Sequence, residues 1–140
     1  MHSAGIHEIV LVVKDIGKAV GFYRDVVGLT LRGEPTNDWA LFATISPEHP
    51  QWLGLHRGDL LYEEHSPRPK GQRFGPVHFA LQAREPSPDA FLRRAASQGF
   101  KVHGPQVWQG RMTGRSYYCY DPDDNLFEYW FSVHPVPSAP

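Results

Sequence analysis

The sequence predicts an α+β protein built from two tandem βαβββ units. Residues 6–13 and 77–82 are apolar, partly β-branched runs typical of buried strands. Each run is followed by a helical pattern that ends at a glycine, Gly28 or Gly99, and then by short β-like runs. Between the two halves, residues 66–76 have the Pro, Gly and basic composition of a linker. This order of elements, repeated once, indicates a duplicated unit.

The first unit is predicted to begin with a strand at residues 6–13 and a helix. Asp15 is a suitable N-cap, since a short carboxylate accepts a hydrogen bond from the first free backbone N–H groups. Apolar residues recur at helical spacing from Lys18 to Val27, and Gly28 can end the helix in a left-handed conformation. The strands expected after this helix cover residues 29–33, 39–45 and 52–56.

The second unit repeats this order. A strand at residues 77–82 is followed by Ser87 as a helix cap, Pro88 at the first helical position and a helix to Gln98. Gly99 then ends the helix. The expected strands of this unit cover residues 101–103, 115–120 and 126–131.

These elements predict one domain over residues 1–135. The chain has 140 residues, which is enough to bury a core without disulfides or a structural metal. We expect the units at about 5–65 and 75–132, and a Pro-rich, disordered tail at 134–140.

Charge and cysteine content limit the classes of partner and compartment. The 14 Lys and Arg residues balance 15 Asp and Glu residues, so neither nucleic acid nor an anionic membrane is an expected partner. The single cysteine, Cys119, excludes an intramolecular disulfide, and we interpret it as a small buried side chain. The only apolar run near the N-terminus, residues 9–13, is too short for a signal peptide. We therefore expect a cytoplasmic protein.

Three residues form a candidate metal-binding set: His7, His78 and Glu128. Each lies in an apolar, strand-like run, and the His-to-Gly interval is 21 residues from His7 to Gly28 and again from His78 to Gly99. Two imidazoles and one carboxylate hold a divalent metal and leave coordination positions free for a substrate. Glu128 stands among Leu, Phe, Tyr and Trp, where a carboxylate is costly to bury unless it meets a cation.

Strand alternation separates the side chains of the last strand into two faces. Leu126 and Trp130 are expected on the Glu128 side. The residues expected to face the helix as core are Phe127, Tyr129 and Phe131.

Four segments resemble the vicinal-oxygen-chelate superfamily. This superfamily includes glyoxalase I, extradiol dioxygenases, methylmalonyl-CoA epimerase, fosfomycin-resistance enzymes and bleomycin-binding proteins. The segments are IHEIVLVV at 6–13, FYRDVVGL at 22–29, VHFAL at 77–81 and YCYDPDDNLFE at 118–128. The resemblance extends over about residues 5–132.

The resemblance implies a metal-dependent enzyme that forms homodimers and acts on a small substrate. The metal, bound by His7, His78 and Glu128, chelates two neighbouring oxygens of that substrate and acts as a Lewis acid. Fe(II) is the first choice, with Mn(II), Ni(II) and Zn(II) as alternatives. Dioxygenase-like chemistry is accordingly the first choice of reaction.

Two further residues are catalytic candidates by this resemblance. Tyr118 stands three residues before Asp121, where extradiol dioxygenases carry a tyrosine that holds the substrate. The upstream histidine of those enzymes is missing, and His103 falls too early to match it. In the first unit Gly54 replaces the fourth ligand of the glyoxalase I pattern, and His56, two residues later on the same face, is a candidate for contact with metal or substrate.

Three other functions stay open. A metal-dependent isomerase or lyase needs a protein base, for which Glu63, Glu64 and His56 are candidates. A thiol transferase of the fosfomycin-resistance type is disfavoured because Ile9 replaces the usual Thr or Cys and the tail lacks arginines. A non-catalytic, bleomycin-type binding protein is disfavoured because all three ligand positions are filled.

Overall fold

A computed structural model describes residues 6–45, 51–58, 78–109 and 113–132. The chain divides into two compact units, residues 1–75 and 76–140. Each unit has one helical stretch and one four-stranded mixed sheet in the order βαβββ, which confirms the predicted α+β class. The predicted linker, tail and candidate bases lie outside the described residues, at 66–76, 134–140, Glu63 and Glu64.

The sheet of the first unit has the strand order β1-β4-β3-β2. Its β1 and β4 are parallel, and its other neighbours are antiparallel. The elements are β1 Glu8–Val13, α1 Ile16–Gly21, a π-helical continuation Phe22–Val27, β2 Thr30–Leu31, β3 Trp39–Ala43 and β4 Trp52–Arg57.

The first helix has the two capping residues that the sequence predicts, Asp15 and Gly28. Asp15 Oδ1 accepts a hydrogen bond from the Lys18 amide at 3.0 Å, so the helix begins at Ile16, two residues earlier than the apolar pattern indicated. Gly28, with φ 88°, ends it in the left-handed conformation. Tyr23 is fully buried and packs on Phe42 of β3, with ring centroids 6.1 Å apart.

The second unit repeats the arrangement with the strand order β5-β8-β7-β6. Its β5 and β8 are parallel, and the remaining pairs are antiparallel. The elements are β5 His78–Gln82, α2 Asp89–Ser97, β6 Val102–Trp108, β7 Gly114–Tyr120 and β8 Leu126–Ser132.

The core of the second unit lies between α2 and one face of this sheet. Phe91 of α2 is fully buried, and its ring contacts Phe127 at 6.4 Å and Tyr129 at 5.0 Å. Phe131 is buried beside Tyr129, which confirms the predicted core side of β8. Glu128 and Trp130 consequently point to the opposite face.

Strand β6 extends beyond the predicted residues 101–103. The Gly104–Pro105 pair, which is typical of a strand end, lies within it. The strand continues through Trp108, with a cis Gly104–Pro105 bond and a bulge between His103 and Gln106. Within its sheet β6 pairs only with β7, so it is an edge strand, where proline's missing N–H is tolerated.

Two smaller observations complete the fold. The N-cap of α2 is Pro88 rather than Ser87, whose hydroxyl accepts a hydrogen bond from the Asp89 amide at 3.3 Å. Among the residues described, no helix is both long and apolar enough to cross a membrane.

Candidate metal-binding site

His78 and Glu128 meet on one face of the second sheet. His78 is the first residue of β5, and Glu128 lies on the adjacent strand β8, where it pairs with Ala80. The distance from His78 Nε2 to Glu128 Oε2 is 3.0 Å. Glu128 is only 7% exposed, whereas the imidazole of His78 is accessible. A buried carboxylate therefore presents one oxygen to an accessible imidazole.

Two further side chains support the other oxygen of Glu128. The hydroxyl of Ser116, on the neighbouring strand β7, donates a hydrogen bond to Glu128 Oε1. Ser116 Oγ in turn accepts a hydrogen bond from Trp108 Nε1 at 2.9 Å. Both carboxylate oxygens of Glu128 thus have a defined partner.

Tyr118 completes this cluster. It lies directly opposite Glu128 in the β7–β8 register, and its ring contacts that of His78 at 6.0 Å in an edge-on arrangement. Burial raises the pKa of the Tyr118 hydroxyl, a hydrogen bond with Ser116 opposes this, and the negative charge of Glu128 adds to the rise. The structure therefore brings three predicted site residues together, and it keeps the Tyr118 hydroxyl protonated at neutral pH.

His103 is a candidate that sequence spacing placed too early in the chain. In the β6–β7 register His103 pairs directly with Tyr118, which itself pairs with Glu128. Directly paired residues point to the same face of a sheet. The sequence does not reveal this position of His103, because a Gly–Pro pair is typical of a strand end. In the structure β6 continues through Gly104–Pro105 as a bulge.

His7 lies in the first unit, one residue before β1. Its carbonyl oxygen accepts a hydrogen bond from the Trp52 amide at 2.9 Å, and the residue is exposed. Over residues 6–45, 51–58, 78–109 and 113–132, no group of three or more His, Cys, Asp or Glu side chains is placed to hold a metal ion. The participation of His7 in a three-ligand site stays a prediction.

The register of the two sheets makes Glu8, rather than His7, the counterpart of His78. Glu8 is the first residue of β1 and pairs with Trp52, the first residue of β4. His78 is the first residue of β5 and pairs with Leu126, the first residue of β8. The equal 21-residue intervals arise differently, because the first unit has a shorter strand-to-helix connection and a longer helical stretch.

Gly54 occupies the position in the first unit that matches Glu128. A Cβ atom at Gly54 would lie 2.8 Å from Trp39 Cη2 and 3.2 Å from Glu8 Oε1, so the indole fills the space of a side chain. His56, on the same strand, has its ring 6.0 Å from that of Trp39, and its buried Nδ1 has no hydrogen-bond partner. The role of His56 as a catalytic candidate stays a prediction.

The donor set of the second unit fits a divalent metal. An imidazole nitrogen and a carboxylate oxygen lie side by side, and the carboxylate is held by a hydrogen bond from behind. Imidazole and carboxylate together suit several first-row divalent ions, and an oriented carboxylate is the usual form of a ligand in a functional site. His78 and Glu128 are therefore suited to hold one ion together with further donors.

Comparison with known proteins finds a family model and several relatives that match most of the chain. Residues 5–129 match the model of the Glyoxalase/Bleomycin resistance protein/Dioxygenase superfamily. The chain is 28% identical over 133 residues to the fosfomycin resistance protein FosX of Listeria monocytogenes, covering 89% of this chain and 87% of the relative.

Solved structures have the same fold. Lactoylglutathione lyase from Agrobacterium tumefaciens matches with a TM-score of 0.65 and 25% identity, covering 94% of this chain and 96% of that chain. A glutamate-to-glutamine mutant of FosX from Listeria monocytogenes, solved with Mn(II) and 1S,2S-dihydroxypropylphosphonic acid, matches with a TM-score of 0.64 and 23% identity, covering 91% and 90%.

Proposed function

The chain belongs to the glyoxalase/bleomycin resistance protein/dioxygenase superfamily, and within it we propose a divalent-metal-dependent enzyme that acts on a small molecule with two neighbouring oxygens. The observation that carries this proposal is the contact between His78 and the buried Glu128, with Ser116 holding the carboxylate. A charged, desolvated carboxylate beside an accessible imidazole is the arrangement expected of a metal ligand pair.

The proposed ligands are His78 and Glu128, with a third from the start of the first unit. The sequence pattern predicts His7 as the third ligand. Glu8 is the alternative donor, because it is the register counterpart of His78. Separate alanine variants of His7 and Glu8 distinguish the two assignments by their effect on metal affinity.

The relatives favour lyase or fosfomycin-resistance chemistry over the dioxygenase reaction that the sequence predicts first. The relatives named above are fosfomycin resistance proteins and a lactoylglutathione lyase. FosX of Listeria monocytogenes, to which the chain is 28% identical, has been solved in mutant form with Mn(II) and a diol with neighbouring hydroxyls. We therefore propose Mn(II) in place of Fe(II).

The side chains around the pair have distinct chemical roles in this proposal. The metal, when bound, supplies Lewis acidity to substrate oxygens. The Tyr118 hydroxyl, whose pKa is raised, stays protonated and donates a hydrogen bond to a substrate oxygen. His103, directly paired with Tyr118, is the proposed proton acceptor or donor for the reacting atoms.

Noncatalytic binding of an aromatic ligand is the second candidate. Tyr120 pairs with Leu126 and Trp108 pairs with Gly114, which places both aromatics on the face of Glu128. Both side chains are more than 40% exposed. An aromatic ligand would stack on such side chains without any reaction.

Turnover assays with Mn(II)-loaded protein distinguish the two candidates. The substrates are fosfomycin and lactoylglutathione, each with and without metal. We expect metal-dependent loss of at least one substrate, and no loss with the His78→Ala variant. Tight binding of aromatic compounds without turnover of either substrate, in protein that holds no metal, would favour the binding function.

Homodimer formation and a cytoplasmic location are also part of the proposal. The first follows from the superfamily. The second follows from the single cysteine, Cys119, which fits a reducing compartment.

A further inference from the structure

We propose that Ser116 is a positioning residue for metal binding and that the Trp108 indole reports occupancy of the site. This inference rests on the proposed metal site at His78 and Glu128. Its basis is the hydrogen-bonded chain from Trp108 through Ser116 to Glu128.

The direction of each hydrogen bond in this chain is fixed by chemistry. The indole Nε1–H of Trp108 is only a donor, so Ser116 Oγ must accept it. An ionised carboxylate is only an acceptor, so the single proton of the Ser116 hydroxyl must point to Glu128 Oε1. The indole therefore helps to orient the hydroxyl, and the hydroxyl helps to orient the carboxylate.

The position of this bond determines which carboxylate oxygen faces the imidazole. Ser116 holds Oε1, and Oε2 lies 3.0 Å from His78 Nε2. Ser116 is 0% exposed, so water cannot readily replace its hydroxyl. Without this hydroxyl Oε1 loses its buried hydrogen-bond donor, and the carboxylate is held less firmly in the orientation that directs Oε2 to the imidazole.

The exposure of Trp108 makes its indole a suitable reporter. The side chain is 41% exposed, and its N–H is hydrogen-bonded within the site cluster. A bound ion would draw electron density from Glu128, which would weaken the hydrogen bond from Ser116 and alter the bond from Trp108. Metal binding should therefore change the emission of this indole.

The same sheet contains a second Trp–Ser pair, whose hydrogen bonds lead to Gln82 instead of Glu128. Trp130 Nε1 donates to Ser132 Oγ at 3.0 Å, and Ser132 donates to the side-chain oxygen of Gln82 at 3.2 Å. Ser132→Ala and Trp130→Phe are therefore controls for loss of a hydroxyl or an indole on this face.

The test is a titration with Mn(II) alone, in which free ion is measured by electron paramagnetic resonance and emission is recorded in parallel. Ser116→Ala should weaken Mn(II) binding about 10- to 100-fold, the usual effect of removing a partner of a metal ligand. Ser116→Thr, which keeps the hydroxyl, should restore most of the affinity, and Ser132→Ala should leave it unchanged. The emission change should vanish in Trp108→Phe and persist in Trp130→Phe.

The outcomes separate this inference from the proposed function. Wild-type affinity in Ser116→Ala, with Mn(II) still bound stoichiometrically by the wild type, would overturn the role of Ser116 and leave the metal site intact. Absence of Mn(II) binding by the wild type would overturn both. If Ser116→Ala does not fold, Trp108→Phe carries the test, because it removes the orienting donor, and unchanged affinity in that variant would overturn the inference.

Discussion

Among single residues, Glu128 is the side chain on which the proposed metal site depends most. Its sequence context, between Phe127 and Tyr129, shows that a carboxylate is costly there and predicts a cation. The structure adds what the sequence cannot show. It supplies the contact with His78 and the hydrogen bond from Ser116, both of which depend on strand pairing between distant residues.

Replacing Glu128 by Gln should leave the stability of the metal-free protein nearly unchanged and remove the stabilisation by Mn(II). In metal-free protein the change relieves burial of a charge and keeps a hydrogen-bond acceptor, so the free energy of unfolding should change by only about 1 kcal/mol, the difference between a charged and a neutral hydrogen bond. Addition of Mn(II) should stabilise the wild type and not the variant. Thermal denaturation with and without Mn(II) measures both effects, and equal stabilisation of the two proteins would exclude Glu128 as a ligand.

Cys119 should be an unreactive thiol in the folded protein. Burial, reinforced by the charge of Asp121, raises the pKa of its thiol to about 11. The thiolate is the nucleophile, so reaction with a disulfide reagent at pH 8 should be slow in native protein and fast after denaturation. Fast reaction of the native protein at pH 8 would contradict the buried position.

The same thiol should make the folded state less stable at alkaline pH. Because the folded pKa lies above the unfolded value of 9.0, the unfolded chain loses this proton first, and stability falls as the pH rises from about 9 to 11. Urea unfolding at several pH values should show a shallower decline in Cys119→Ala than in the wild type. Parallel declines would mean that other groups account for the dependence.

Among the helices and strands, the features that depend only on residues adjacent in the sequence could be predicted from the sequence. The Asp15 cap and the left-handed Gly28 are both present, because each depends on a few adjacent backbone groups. The full length of β6 was missed, because its continuation past Pro105 depends on pairing with β7. The equal spacing of His7 and His78 from a glycine suggested equivalent positions, but Glu8 is the register counterpart of His78. Register is a property of paired strands, so spacing along the chain does not reveal it.

Gly114 tests the close packing at the start of β7. A Cβ atom there would overlap the Phe131 carbonyl oxygen and lie 2.9 Å from Trp130 Cζ2. Gly114→Ala should therefore lower the free energy of unfolding by about 1–3 kcal/mol, the usual effect of overpacking.

Gly21 provides the matched control for this substitution. It lies in helix α1, where a Cβ atom would approach nothing closer than 4.0 Å. Gly21→Ala should stabilise the protein by about 0.5–1 kcal/mol, since alanine has the higher helix propensity. Equal effects of the two substitutions in urea unfolding would contradict the packing described for β7.

At the scale of the whole molecule, the sequence predicted the fold class and the superfamily, and both are confirmed. A repeated order of strands and helices is visible in composition and periodicity alone. The reaction is not, because lyases, dioxygenases and binding proteins of one superfamily share a fold and differ in a few side chains. The relatives that match this chain favour lyase or fosfomycin-type chemistry over dioxygenase chemistry.

A homodimer is the expected assembly. Sedimentation equilibrium at micromolar concentration should give twice the mass of the chain, with or without Mn(II). A mass equal to one chain over the whole concentration range would contradict the proposed dimer.

Measuring Mn(II) affinity shows most directly whether His78 and Glu128 bind a divalent ion. Mn(II) binding should be measured by isothermal titration calorimetry on wild type, His78→Ala and Glu128→Ala, with Ser132→Ala as a control on the same face of the sheet. We expect one Mn(II) per wild-type chain, an unchanged affinity in the control, and an affinity at least about tenfold weaker in both ligand variants. Stoichiometric binding of wild-type affinity in either His78→Ala or Glu128→Ala would contradict the claim.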